Sequence, residues 1–194
     1  IKIIHWLMHR LFFLYILISF SSFAQNQILI IDNGHHSFQV RLNLINSAKK
    51  EILINYFIFE DDLSGNRFLA ALAKAKLSRP ELKVRMVIDA YLSSISKPKL
   101  KYLKSIGVEI KNYAPFNLFR PDRLFKRMHI KMLLIDQEYI LIGGRNLKDE
   151  YFDLDEMNFH DRDILLRSKE IGLNSAKVFQ DLWQQKFVKY PGYK

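Results

Sequence analysis

No cysteine occurs in the 194 residues, which excludes disulfides, thiolate-bound zinc and a cysteine nucleophile and leaves the redox compartment unmarked. Glycine (7) and proline (5) are scarce, with no internal repeat and no low-complexity tract, so disorder is expected at most at the ends. Several familiar signatures are missing as well. There is no Walker loop, HExxH, GxSxG or EF-hand loop, which removes the commonest nucleotide, zinc-protease, serine-hydrolase and calcium readings. The apolar run Leu11 to Phe20 is too short to span a bilayer comfortably.

What is present is a globular composition, 49% hydrophobic and 26% charged, long enough for one domain with a sizeable core and hardly for two. Thirty Lys and Arg against twenty Asp and Glu leave a formal net charge of +10. That favours an anionic partner, whether nucleic acid, an acidic membrane surface or a phosphorylated substrate, without choosing among them. Lys2, His9 and Arg10 precede the apolar run, and Ser21-Ser22-Phe23-Ala24 follows it. This is the pattern of a signal peptide cleaved after Ala24, the alternative being an uncleaved N-terminal anchor over residues 1–24. Either way the expectation is an exported protein, periplasmic or membrane-associated in a bacterium. Residues 1–24 carry two cations and no acid, so residues 25–194 keep 10 − 2 = +8.

Hydrophobic periodicity predicts a helix over Ser37 to Lys50, then a nearly continuous apolar strand over Glu51 to Phe59. A turn at Asp61 to Gly65 leads into a helix over Asn66 to Leu77, stopped by Pro80. A strand at Lys83 to Ala90, a short helix at Pro98 to Ile106 and a strand at Gly107 to Tyr113 follow. Strands are also expected at His129 to Asp136, Tyr139 to Ile142 and Asp163 to Arg167. An amphipathic helix closes the chain at Ile171 to Phe187, with Val178, Phe179, Leu182 and Trp183 inward. The alternation predicts an α/β fold, a mixed β-sheet flanked by helices on both faces.

The chemistry concentrates at His129-Ile-Lys131-(four residues)-Asp136, followed by Gly143-Gly144-Arg145-Asn146. In a strand, residues two apart share a face, so His129 and Lys131 point together. An imidazole beside an ammonium suits a phosphate: the cation holds oxygens while the ring attacks phosphorus or moves a proton. Asp136 is seven positions from His129 and falls on the opposite face, which makes it a supporting acceptor at the strand end. Gly143 and Gly144 permit close backbone approach or positive φ, as a phosphate-binding turn needs, and Asn146 offers an amide donor nearby. A lone strand histidine or a Gly-Gly pair is more often merely structural; the ordered combination is far more specific.

The string H-I-K-M-L-L-I-D-x6-G-G-R-N resembles the HKD signature of the phospholipase D superfamily. The likeness extends through Ile52 to Gly65, Lys83 to Asp89, Asn146 to Tyr151, Arg162-Asp163 and Phe179 to Trp183, and is similar to the first half of bacterial cardiolipin synthases. It implies that His129 forms a phosphohistidine or acts as its acid/base counterpart, and that Lys131 and Asn146 bind phosphate oxygens. An acid on the following strand would orient the ring, with Asp163 in that role and Glu156 as the weaker substitute. It also implies no metal and no cofactor.

Sites of this superfamily need two such motifs, and this sequence has one; neither His160 with Arg162 nor His5, His9, His35 or His36 starts another. The second half is expected from a homodimer or from a missing C-terminal half. The expected substrate is a phospholipid or other phosphodiester, processed by hydrolysis or transfer. An exported metal-independent endonuclease acting on nucleic acid and a catalytically silent phosphate- or membrane-binding half-site remain the alternatives. Phe116, Phe119, Arg120, Arg123, Phe125, Lys126 and Arg127 interleave aromatics with cations just before the motif, suited to a membrane surface, to stacked bases or to plain packing on the core.

Overall fold

A computed structural model of the chain describes residues 26–115, 117–119, 125 and 127–192. The leader expectation, and Phe116, Arg120, Arg123 and Lys126 of the basic loop, lie outside them. Phe119, Phe125 and Arg127 lie within and are exposed.

Among the described residues eight strands form one mixed sheet: β1 Gln27–Ile31, β2 Glu51–Tyr56, β3 Lys83–Asp89, β4 Val108–Tyr113, β5 Met132–Ile135, β6 Tyr139–Gly143, β7 Asp163–Arg167 and β8 Val188–Lys189. Their order is β1-β7-β6-β5-β2-β3-β4-β8. The β2, β3 and β4 trio is parallel, and its neighbours on both sides run antiparallel. Among the described residues four helices connect and cover it: α1 Gly34–Ser47, α2 Leu63–Ser78, α3 Lys97–Ser105 and α4 Lys169–Trp183.

The predicted mixed α/β sheet with helices on both faces is therefore what the chain forms. Phe38, Leu44 and Ile45 of α1, Phe68 and Leu72 of α2 and Leu100 and Leu103 of α3 pack on one face, against Ile52, Ile54, Val84, Met86 and Ile110. On the other face Phe179 and Trp183 of α4 cover Leu53, Val87, Leu134 and Ile140. Every residue of β2 is buried, as its unbroken apolar run requires. Val178, expected inward, is 62% exposed: with Phe179 and Trp183 turned to the sheet, the adjacent position on a helix faces away.

Among the described residues, part of the α4 face has nothing packed on it. Ile30 pairs with Ile164, Ile164 with Ile142 and Ile142 with Met132, so this row shares a face. Ile30, Ile142 and Ile164 are 61%, 43% and 40% exposed. The row ends at the strand mouths that carry the sequence motif.

The predicted strand over His129 to Asp136 is shorter at its start. Only Met132–Ile135 joins the ladder, because Asn55 is the last β2 residue to pair with it, opposite Met132. Beyond Tyr56 the chain veers off, with Phe59 bridging to Ser93 and Leu147. His129 to Lys131 are thus left unpaired at the rim of the sheet. At the other end of β5, Asp136 (φ +53°) and Gln137 (φ +56°) form the centre of a tight turn closed by Glu138 N–H donating to Ile135 O at 3.0 Å. Two successive positive φ values match the twist of a hairpin.

Candidate active site

At the rim His129 is exposed and Lys131 buried. The Lys131 Nζ lies 3.3 Å from His129 Nδ1, 3.4 Å from Nε2 and 3.1 Å from the His129 carbonyl, to which it donates. Phe57, just past β2, fixes both: its ring centroid is 4.6 Å from that of the imidazole and 4.9 Å from the ammonium. Burial lowers the Lys131 pKa from the ordinary lysine value, and the charge of Asp161 works against that. Neither Phe57 nor Asp161 was singled out by sequence. Phe57 is hidden in an apolar run, whereas Asp161 shares the alternation parity of Asp163 and was legible in principle.

Asp163 is placed elsewhere than on the imidazole. Fully buried, its Oδ2 accepts from Arg41 Nη1 at 3.0 Å, from Arg145 Nη1 at 3.4 Å and from the Ser37 hydroxyl. Arg41 continues to the Tyr56 hydroxyl at 2.9 Å. Arg145 donates to the carbonyls of Tyr151 at 3.0 Å, Ile31 at 3.1 Å and Asp32. This is a buried charge centre tying α1, β1, β7 and the segment after β6 together. Two guanidiniums and a hydroxyl share Oδ2, while Oδ1 is buried with no hydrogen-bond partner among the described residues. Glu156, the substitute, is exposed in a turn, where its amide donates to Asp155 Oδ1 at 2.7 Å.

Asp136 accepts three backbone amides at the start of β2: Lys49 at 2.8 Å, Lys50 at 2.7 Å and Glu51 at 3.0 Å. It lies at the far end of β5 from His129 and holds the strand's position. Gly143 and Gly144 do not use positive φ. A Cβ on Gly143 would stand 2.0 Å from Asp163 Oδ1, and one on Gly144 2.2 Å from Asp161 Oδ1. The pair is glycine because two carboxylates lie against its α-carbons. Asn146 is buried; its Oδ1 accepts from Ile58 N–H at 3.1 Å and its Nδ2 donates to the Tyr151 hydroxyl at 2.8 Å.

The segment between β6 and β7 is fixed by helix ends. Asp149 accepts from the Leu63 and Ser64 amides at 3.3 and 2.7 Å, and Asp153 from the Gly34 amide at 2.8 Å. Each carboxylate thereby satisfies free N–H groups at a helix start and meets the positive end of its dipole. Asp62 caps α2 through Gly65 N–H at 2.8 Å. Burial raises the Asp62 pKa, its hydrogen bonds oppose this, and the nearby Asp149 charge adds to it. Among the described residues no group of three or more His, Asp or Glu could hold a metal ion.

Residues 42–183 match the family model described as cardiolipin synthase, PLD-like domain. The cardiolipin synthase of Clostridium perfringens is 31% identical over 159 residues, covering 81% of this chain and 33% of that protein. Cardiolipin synthase C of Escherichia coli is 32% identical over 146 residues, covering 70% and 30%. The chain thus spans about a third of the length of these curated relatives. The phosphatidylserine synthase of Haemophilus influenzae shares the fold with a TM-score of 0.73 at 19% identity, covering 85% of this chain and 38% of that one. So does the phospholipase D family member Nuc of Salmonella typhimurium, with a TM-score of 0.65 at 17% identity, covering 86% and 100%.

Proposed function

Since the chain belongs to the PLD-like domain family of cardiolipin synthase, we propose that it supplies one half of a site that breaks and remakes phosphodiesters of phospholipid head groups. The observation carrying this is the His129 and Lys131 pair: an exposed imidazole whose ring nitrogens lie 3.3 and 3.4 Å from a partly desolvated ammonium. A ring nitrogen of His129 attacks phosphorus, and the bond to the leaving alkoxide breaks as phosphohistidine forms. The leaving oxygen takes its proton from the histidine of a second half-site. Water or an alcohol then attacks phosphorus and gives its proton back to that second histidine, freeing His129. Lys131 offsets the growing charge on the phosphate oxygens throughout.

The second half-site comes from another copy of the chain or from further along a longer polypeptide. The uncovered row Ile30, Ile164 and Ile142 supports its seating there, since it runs to the same rim as His129. Location outside the cytoplasm remains part of this proposal, resting on the residue 1–24 pattern alone.

The test is release of head group, or formation of a new phosphatidyl ester, from phosphatidylglycerol vesicles. His129→Ala should remove turnover by a factor on the order of 10⁴ or more. Retention of activity in His129→Ala would sink the mechanism. Chelator-resistant cleavage of DNA, with phospholipid untouched, would transfer the same chemistry to nucleic acid.

A further inference from the structure

One buried titratable group has no part in the reaction above. Asp89, the last residue of β3, is fully buried. Strand alternation puts it on the same face as Arg85 and Val87, the α4 face, where Val87 packs with Leu53, Met132 and Leu134. Asn55, paired with Val87 across the β2–β3 ladder, is buried as well. A carboxylate and an amide at such positions lose hydration that hydrogen bonds must replace. Their partners therefore identify what the two positions are used for.

Both meet the residue that immediately precedes His129. Met128 is buried in the same cluster as Leu53, Val87 and Met132. Its sulfur accepts from Asn55 Nδ2 at 3.6 Å, and its amide donates to Asp89 Oδ2 over a long 3.5 Å. The other carboxylate oxygen, Oδ1, accepts from Tyr91 N–H at 3.0 Å and pairs with Arg127 Nη1 at 3.7 Å. The Arg127 guanidinium in turn lies 4.4 Å from the centroid of the Tyr91 ring. One side chain thus ties together two consecutive residues, Arg127 and Met128, and the turn that leaves β3.

The sheet does not supply this tether. The β2–β5 ladder ends at Asn55 and Met132, and His129 to Lys131 lie outside it. Fixed only at Met132, such a segment can swing. Fixed also at Met128, it keeps the imidazole between the Phe57 ring and the Lys131 ammonium. The distinction matters for chemistry, because a displacement of about 1 Å at a reacting group costs on the order of 10²-fold in rate.

We propose that Asp89 is a positioning residue for His129: through the Met128 amide and through Arg127 it sets where the imidazole stands at the rim. The effect on turnover rests on the half-site reading above, whereas the placement is a property of the ligand-free chain.

The experiment takes the full chain with labelled histidine rings, as parent and as Asp89→Asn, Arg127→Gln and Arg127→Lys. Without any ligand, the His129 ring signals should move and broaden in Asp89→Asn and, less strongly, in Arg127→Gln. Those of His35, His36 and His160 should stay in place, and Arg127→Lys should match the parent. An influence felt only through the electric field would act in opposite senses, because one variant removes an anion and the other a cation. Opposite displacements, or a His129 unmoved in both, would overturn the proposal. Turnover of phosphatidylglycerol vesicles is the second readout. In Asp89→Asn kcat should fall on the order of 10²-fold with KM unchanged. Arg127→Gln should lose about tenfold, half of that on the free-energy scale since one of the two ties remains, and Arg127→Lys should recover it. A raised KM at parental kcat in Arg127→Gln would make the arginine a substrate contact and overturn the tether. If Asp89→Asn does not fold, Arg127→Gln, whose parent side chain is 32% exposed, carries both readouts, and parental ring signals and kcat in it overturn the proposal. Turnover that survives His129→Ala would remove the half-site reading, while the ring signals still decide the placement.

Discussion

Two clusters of cation and partner sit near the same end of the sheet and differ in nearly every physical respect. Arg41, Asp163 and Arg145 are each no more than 2% exposed, and their hydrogen bonds run to fixed protein groups. His129 is open to solvent, and Lys131 is drawn in under it against Phe57. A buried ion cluster of the first kind fixes geometry, since moving any member strands a charge in low dielectric. A half-open pair of the second kind keeps hydrogen-bonding capacity free, which under the proposed function meets an incoming phosphate. Burial and partner count, more than residue type, thus separate the scaffold cluster from the one proposed for chemistry.

The comparison breaks most sharply at its ends. His129→Ala, which should abolish turnover, is expected to leave the melting free energy within about 0.5 kcal/mol of the parent, as surface substitutions do. Asp163→Asn should do the reverse first: two buried guanidiniums lose their counter-charge, at a cost of about 3–5 kcal/mol, read by denaturant unfolding. An Asp163→Asn chain as stable as the parent, but inactive, would return Asp163 to the role of ring-orienting acid.

A smaller loss is expected from Asp136→Ala, which leaves the amides of Lys49, Lys50 and Glu51 without their acceptor. Three mostly solvent-accessible donors make this about 2 kcal/mol, with turnover of the folded fraction unchanged. Loss of turnover without loss of stability would instead place Asp136 in the chemistry.

The subtlest effect sharpens the reactive side. Because burial lowers the Lys131 pKa, its ammonium is lost at a lower pH than an ordinary lysine's, and turnover should fall as pH rises through that value. Asp161 pulls in the other direction. Asp161→Asn should therefore move the alkaline fall of the kcat/KM profile to lower pH, with Asp161→Glu restoring it. An unmoved alkaline limb in Asp161→Asn would show that the carboxylate does not govern the lysine.

Most of the fold was legible because its signals are local. The all-buried β2, the period of α1 and the Pro80 stop each follow from a few adjacent residues, and strand and helix positions fell within a few residues of expectation. The misses have non-local causes. β1 (Gln27–Ile31) is an edge strand whose ladder runs along β7, and the two-residue β8 pairs with β4. His129 to Lys131 dropped out of β5 because β2, 70-odd positions earlier, stops pairing at Asn55.

The sequence by itself supplied the candidate set: an imidazole and an ammonium two apart, an acid seven on, two glycines and an amide at fixed spacing. Those spacings are fixed along the covalent chain and survive any packing. Only the tertiary structure decided what the neighbours do. It gave Asp163 to Arg41 and Arg145, set Asp161 near Lys131, spent the Asn146 amide on Ile58 and Tyr151, and made Gly143 and Gly144 seats for carboxylates. Such assignments depend on which of several equivalent acids arrives at which cation, and that is settled by helix and strand placement across more than a hundred residues of chain.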